Sequence, residues 1–288
     1  MSGDYQLVQL ANGEKTLFSA SYGEKLHPGL GPQAEAELLY VRQLKIGERL
    51  RSEAGEFVVW DVGLGGAANA IALLRATQDI SGRLRLMSFD NTNEPLAFAL
   101  QNAAALGYAA GYERQLTELL RGRHVVFQNG SCAVEWKFYL GDFPQLLKSE
   151  IGNRKSEISR PHAIFYDAFS PAKNPAMWTL PVFENLFRSL EPARPCALTT
   201  YSRSTLLRVT LLLAGFFVGV GHATGMKEET TIAANSLDLI AEPLNQRWLE
   251  RARRSHSADP MMEPVYRIAP MSEEFWGKLQ AHPQFAAE

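Results

Sequence analysis

Phe57-Val58-Val59-Trp60-Asp61-Val62-Gly63-Leu64-Gly65-Gly66 runs from apolar residues through an acid into glycines. An uninterrupted apolar run such as Phe57–Asp61 predicts a strand covered on both faces, as in a parallel sheet. The glycines that follow let the backbone turn tightly and approach a ligand with no Cβ in the way. Ala67 to Ala76, rich in Ala and Leu, then reads as a helix. Leu84 to Phe89 reads as a second strand ending on Asp90, and Glu94 to Leu106 as a second helix. Strand, helix, strand, helix with short links marks a βαβ unit, and hence an α/β fold with a parallel sheet.

Working outward, the first forty residues read as short strands and turns, with Asn12-Gly13 suited to a hairpin. A helix is expected from about Pro32 to Leu50. Downstream, His124–Phe127 and Val134–Leu140 flank Gln128-Asn129-Gly130-Ser131 and read as a hairpin. Strands follow at Ala163–Tyr166, ending on Asp167, then at Cys196–Tyr201, Phe216–Val220 and Thr230–Ala234, with helices at Val182–Leu190 and Ser204–Ala214. From Leu244 onward the pattern gives a basic helix, a Pro-rich coil and a short helix near Glu273–Gln280.

Composition narrows the class. With 288 residues, 46% hydrophobic, the chain can bury one sizeable core. A net charge of −2 neither requires nor excludes nucleic acid, which would need basic residues gathered on one face. Cys132 and Cys196 lack CxxC or Cys/His partners, so no zinc site or disulfide framework is expected, and a reducing cytoplasm fits. No signal peptide is read at the N-terminus. The most apolar stretch, Leu206–Val220, is broken by Arg208 and Gly215 and is too short for a membrane span.

The chemistry begins at the glycine turn. Asp61 closes the strand, Gly63 and Gly65 bring backbone close, and Asp90 at the next strand end can accept hydrogen bonds from ribose hydroxyls. This combination fits NAD, FAD and S-adenosylmethionine alike, or simply a tight strand-to-helix turn. The position three after Gly65 is Ala68, not glycine, which disfavours a dinucleotide pyrophosphate at the helix N-terminus. The P-loop pattern is absent. Gly141-Asp142-Phe143, after the strand ending at Leu140, suits an adenine: a carboxylate for the exocyclic amine and a ring to pack on. The alternative is that Asp142 caps a helix beginning near Phe143.

Beyond these signals, Phe165-Tyr166-Asp167-Ala168-Phe169-Ser170-Pro171-Ala172-Lys173-Asn174-Pro175-Ala176-Met177-Trp178 resembles the hallmark segment of MnmC-type methyltransferases, the methyltransferase domains of tRNA 5-methylaminomethyl-2-thiouridine biosynthesis enzymes and their stand-alone relatives. The resemblance covers roughly residues 5 to 256. It is supported by Tyr22–His27, Gly31–Glu37, Gly122–Asp142, Thr200–Ser202, Ala214–Phe216, Gly225–Glu229 and Trp248–Arg251. It implies a class I methyltransferase, Rossmann-like, with a seven-stranded, mostly parallel sheet and helices on both faces. It implies S-adenosyl-L-methionine as cofactor, tRNA as partner, and methylation of an aminomethyl nitrogen on the wobble uridine. No FAD and no metal are expected. The family's cofactor residues match at Gly63, Gly65, Asn69 and Asp142, and Asp90 matches by type. Ala67 stands where the third loop glycine is usual, and Gly66 where threonine is. Residues 1–256 are expected to form one methyltransferase domain with an N-terminal β/helical extension, and 257–288 a tail of unassigned role.

Asp167, ending a central strand, is the expected catalytic carboxylate, able to orient an amine and take its proton; its alternative is a turn or cap carboxylate. Lys173, Asn174, Pro175, Trp178 and Tyr201 are candidate substrate-binding residues. Trp178 and Tyr201 have core packing as an equal alternative, and Lys173 a solvated charge. Arg247, Arg251, Arg253 and Arg254 form a basic run that can hold phosphates or be a solvated helix face. The resemblance places Glu24 and His27 near the pocket, while Glu35 and Glu37 receive no role. Two other readings remain open: a small-molecule N- or O-methyltransferase on the same scaffold, and a non-catalytic cofactor-binding paralogue.

Overall fold

The central strand β4 (Glu56–Val62) sends Phe57 and Val59 into one hydrophobic core and Val58, Trp60 and Val62 into another. Successive strand residues point to opposite faces, and here both faces are covered, which is why the segment reads as continuously apolar. The computed structural model describes residues 3–150, 158–224 and 228–285. Gly225-Met226-Lys227, part of the resemblance, lies outside the described residues.

Strand β4 pairs in parallel with β5 (Gly82–Asp90) and with β8 (Ala163–Tyr166). On one side β5 carries β7 (Cys132–Leu140) in parallel; on the other, β8 carries β9 (Ala197–Thr200) in parallel. Strand β11 (Thr230–Ala234) lies antiparallel between β9 and the edge strand β10 (Phe217–Gly221). The opposite edge is β6 (His124–Asn129), antiparallel to β7. Among the described residues this sheet has eight strands, in the order β10-β11-β9-β8-β4-β5-β7-β6. One more strand is present than expected, because the 124–140 hairpin adds both of its arms to the sheet. After β4 the chain first builds outward through β5 and β7, then returns to β8 on the other side. Such a reversal leaves a crevice at the carboxyl ends of the strands.

Helices cover both faces. Helix α3 (Ala68–Thr77) follows the glycine loop and is almost wholly buried. The expected single helix over 32–50 is instead α1 (Pro32–Ala36), a widened π-helical stretch Glu37–Arg42, and α2 (Ile46–Ser52) after a left-handed residue, Lys45 at φ 50°. The helix expected over 94–106 divides into α4 (Glu94–Gln101) and α5 (Ala103–Leu106). Asn102 breaks it, turning its side-chain amide back to the Phe98 carbonyl at 2.8 Å. Helix α6 (Glu113–Gly122) was not anticipated, although Leu116, Leu119 and Leu120 repeat at helical spacing. Helices α7 (Phe143–Glu150), α8 (Leu180–Ser189) and α9 (Thr205–Leu213) complete the layers. Ser204 caps α9 by accepting from the Leu207 amide.

The C-terminal segment packs onto this body. Helix α10 (Gln246–Arg253) buries Trp248, Leu249 and Ala252, and α11 (Glu273–Gln280) buries Leu279. Ala258, Met261, Met271 and Phe285 join the same core as Trp60. The Gln284 side-chain amide bonds the backbone N–H and C=O of Val218 at 2.7 and 2.8 Å, so it occupies part of the edge of β10. Thus the segment expected as a tail over 257–288 is anchored to the body through a few buried side chains, while residues 262–268 stay largely exposed.

The N-terminus forms a separate antiparallel sheet of β1 (Tyr5–Gln9), β2 (Lys15–Ser19) and the short β3 (Glu24–Lys25). It lies over the carboxyl ends of the main strands, where its Glu24 meets Ser170.

Candidate active site

The crevice holds a cavity of about 410 Å³ whose lining comes from the ends of β4, β5, β7, β8 and β9 and from the N-terminal segment. This volume falls within the usual range for small-molecule sites.

The sheet side is built on glycines and carboxylates. Gly63 sits at φ 93°, and a Cβ there would lie 2.6 Å from the Asp167 carbonyl oxygen, so no other residue fits. The Gly65 amide donates to Asp90 Oδ2 at 2.9 Å. Asp90 also accepts from Thr92 N at 3.3 Å, and burial raises its pKa against the pull of these amides. A carboxylate has about four acceptor positions, so Asp90 retains capacity for further donors. Gly141, Asp142 and Phe143 line the same side. Asp142 Oδ1 also accepts from Gln145 N at 2.9 Å, so it caps α7 while facing the cavity. Phe143 is buried and meets Phe89 edge-on, with ring centres 5.2 Å apart.

Two expected cofactor residues stand elsewhere. Asp61 is fully buried on the face shared by Phe57 and Val59 and accepts from Ser88 Oγ at 2.9 Å. Burial pushes its pKa up to about 8, and it does not line the cavity. Strand alternation carries the side chain beneath the loop rather than over it. Asn69, in the first turn of α3, is also buried and off the cavity wall. Its side-chain amide donates to Asp167 Oδ2 at 2.8 Å, so it reaches the site through that carboxylate.

Asp167 is at the centre. Its backbone N–H continues the ladder to Val62 O at 2.8 Å, and its side chain lines the cavity. His27 Nε2 lies 3.8 Å from Asp167 Oδ2, and His27 Nδ1 lies 3.7 Å from Glu35 Oε2. Burial, and next the Asp167 charge, hold the phenols of Tyr40 and Tyr201 neutral.

The following loop is pinned from below and above. Trp178 Nε1 donates to Phe169 O at 2.7 Å, and Tyr201 Oη donates to Ala168 O at 2.9 Å. Trp178 is fully buried and packs edge-on against Tyr166 and Tyr201. It therefore supports the loop and is not available to stack on a substrate base. Tyr201 lines the cavity. Asn174 lines it too, whereas Pro175 only starts a single 3-10 turn, Pro175–Trp178. Lys173 is exposed and off the cavity, its ammonium 3.7 Å from where a side chain on Gly23 would begin.

From above, Glu24 accepts from the Ser170 amide at 3.1 Å and from the Ser170 hydroxyl. Tyr22 stacks on Phe169 at 4.0 Å between ring centres. Tyr22, Glu35 and Phe169, all cavity-lining, had no assigned role in the sequence. A signal for Glu35 exists: it lies in the first turn of α1 and accepts from the amides of Gly29 and Leu30, as an acid at a helix start does. Arg247, Arg251, Arg253 and Arg254 do not line the cavity. Arg253 is taken up by Glu273, the Met271 carbonyl and the Trp276 ring. Among the described residues, no three His, Cys, Asp or Glu side chains cluster as a metal site, and no helix is long and apolar enough to cross a membrane.

Comparison with known proteins adds the following. Residues 111–236 match the model of a family of S-adenosyl-L-methionine-dependent methyltransferases. The chain is 28% identical over 233 residues to the tRNA 5-methylaminomethyl-2-thiouridine biosynthesis bifunctional protein MnmC of Aeromonas hydrophila, covering 76% of this chain and 34% of that protein. Identity to the MnmC of Ectopseudomonas mendocina is 29% over 241 residues, covering 81% and 35%. For Ralstonia nicotianae MnmC it is 30% over 229 residues, covering 76% and 33%. The chain thus spans about a third of the length of these relatives. In fold it matches the crystal structure of MNMC2 from Aquifex aeolicus with a TM-score of 0.69 at 24% identity, covering 97% of this chain and 84% of that one.

Proposed function

We propose, from the premise that this chain is an S-adenosyl-L-methionine-dependent methyltransferase related to MnmC, that it methylates the nitrogen of an aminomethyl group on a tRNA wobble uridine. The observation that carries the reading is the polarity of the cavity. Glycine turns with Asp90 and Asp142 line one part. Asp167, Glu24, Glu35 and His27 line the other, and an acidic wall suits a cationic amine.

The residues present fit the cofactor. Gly63, Gly65, Asp90, Gly141, Asp142 and Phe143 would hold it, with Asp90 keeping acceptor positions for hydroxyl donors. When bound, S-adenosyl-L-methionine supplies an electrophilic methyl group on a sulfonium sulfur. Asp167, fixed by Asn69, orients the amine by hydrogen bonds and takes its proton, freeing the nitrogen lone pair. Tyr22 and Phe169 cover the acceptor side and exclude water. Of the four arginines in the basic run, Arg247, Arg251 and Arg254 are exposed for phosphate contact.

The test is methyl transfer from labelled S-adenosyl-L-methionine to tRNA bearing the unmethylated aminomethyl wobble uridine. Label on that nucleoside with wild type, and its loss in Asp167→Asn, is the expected result. No label despite demonstrated cofactor binding overturns the tRNA reading and directs the search to small-molecule amines.

A further inference from the structure

We infer that His27 is the proton-relay residue of this site, an imidazole between Asp167 and Glu35 that receives the proton shed by the acceptor amine. The inference rests on the amine-methylation reading above.

The geometry is built for that position. His27 adopts φ 51°, a left-handed conformation rare for a non-glycine residue and often tied to function. Its preceding carbonyl, Leu26 O, accepts from the buried Thr16 hydroxyl, and Leu26 N donates to Leu17 O at 2.8 Å. The backbone is thereby fixed to β2, and the ring is aimed into the cavity.

Each nitrogen faces a carboxylate oxygen. Nδ1 is 3.7 Å from Glu35 Oε2, whose companion oxygen is already taken by the amides of Gly29 and Leu30. Nε2 is 3.8 Å from Asp167 Oδ2, the oxygen that Asn69 also holds. The charged or titratable groups facing His27 are therefore Glu35 from α1 and Asp167 after β8. Behind Asp167 stand Tyr40, Tyr201 and Asp61.

A neutral imidazole carries one N–H and one lone pair, whereas the protonated ring donates from both nitrogens. With Nδ1–H toward Glu35, the Nε2 lone pair faces Asp167. The ammonium N–H bond breaks, the proton passes over Asp167 to Nε2, and an N–H bond forms there. The freed lone pair attacks the methyl carbon as the carbon–sulfur bond breaks, its electrons staying on the thioether sulfur. The imidazolium then sits between two carboxylates and returns its proton to water. Without His27 the proton would have to leave from the same carboxylate that orients the amine.

The test has two arms. The imidazole of His27 is titrated by NMR in wild type, Glu35→Gln and Asp167→Asn, without tRNA. Both substitutions are expected to lower its midpoint, because each removes a facing negative charge. Glu35→Asp, expected to restore most of the shift, serves if Glu35→Gln does not fold. Next, the pH profile of methyl transfer is compared for wild type and His27→Gln. The variant is expected to fall furthest behind, tenfold or more, between the midpoints of His27 and of the amine, and to approach wild type below the first, where His27 already carries its proton, and above the second, where the amine is already neutral. An unchanged midpoint, or a loss equal at every pH, overturns the relay. Wild type that transfers methyl while the variant shows such a flat loss retires the relay alone. Wild type that methylates no amine at any pH retires the amine reading, and the relay with it.

Discussion

The two walls of the cavity are built in opposite ways. The sheet wall comes from strand ends a few residues from their own turns: Gly63 and Leu64 bond back to Phe89 O at 2.9 and 3.1 Å, and Gly65 bonds to Asp90. The covering wall is assembled across the chain, with Glu24 meeting Ser170 over a separation of 146 residues and Tyr22 meeting Phe169. The first is fixed by contacts between neighbouring strands of one βαβ unit, Gly65 reaching Asp90 over 25 residues, the second by side-chain pairing across half the chain. Damage to the sheet wall should therefore remove folding or cofactor binding, and damage to the cover should fall on the acceptor.

The largest expected effect lies where the walls meet. Asp167→Asn should lower methyl transfer by about 10²–10⁴-fold, the range for losing a positioned base. Cofactor affinity measured by calorimetry should stay within a few-fold, and an equal loss of both would erase the distinction between the walls. Gly63→Ala comes next. Its Cβ would collide with the Asp167 backbone at φ 93°, a destabilisation on the order of 3 kcal/mol, readable by urea unfolding. Wild-type stability in that variant would show the loop to be more yielding than its contacts imply.

Tyr22→Ala tests the cover. It should forfeit about 1 kcal/mol of stacking, raising the acceptor KM roughly fivefold, with cofactor affinity unchanged. Asp61→Asn probes the sheet wall from beneath. The folded pKa of about 8 stands above the ordinary carboxyl value of 3.8, so between these the folded state holds a proton that the unfolded state has released. Stability is then full at low pH and falls as pH rises through that window. Thermal unfolding at pH 5 and pH 8 should show wild type losing ground relative to the variant; parallel curves would contradict the buried protonated acid. The smallest effect is expected from Ala67→Gly. Ala67 sits at φ 65°, where glycine relieves strain but loses unfolded-state restriction, so stability should move by less than about 1 kcal/mol.

The same contrast explains what could be read from the sequence. Strand β4, its glycines, Asp90 and the acid ending β8 lie in periodic or glycine-marked segments, and their places follow from period and turn chemistry. Asp61 defeats that reading because one step along a strand exchanges faces, and nothing local reports which face meets the crevice. Trp178 defeats it because a tryptophan beside a specific motif looks the same whether it supports a loop or a base. The pairing of Tyr22 with Phe169, and the convergence of Glu35 and Asp167 on His27, arise only when the N-terminal segment folds over the sheet. The widened turn Glu37–Arg42, which brings Tyr40 beneath Asp167, has no periodic signature. By contrast, the helix Glu273–Gln280 was legible from its pattern, yet the packing of its neighbours onto the Trp60 core was not.

The most direct measurement is a calorimetric titration of S-adenosyl-L-methionine into wild type, Tyr22→Ala and Asp90→Ala in parallel. A cofactor-binding sheet wall under an acceptor-binding cover predicts one equivalent bound with matching affinity by wild type and Tyr22→Ala, and a loss of tenfold or more in Asp90→Ala. No binding by wild type, or equal weakening in both variants, would contradict it.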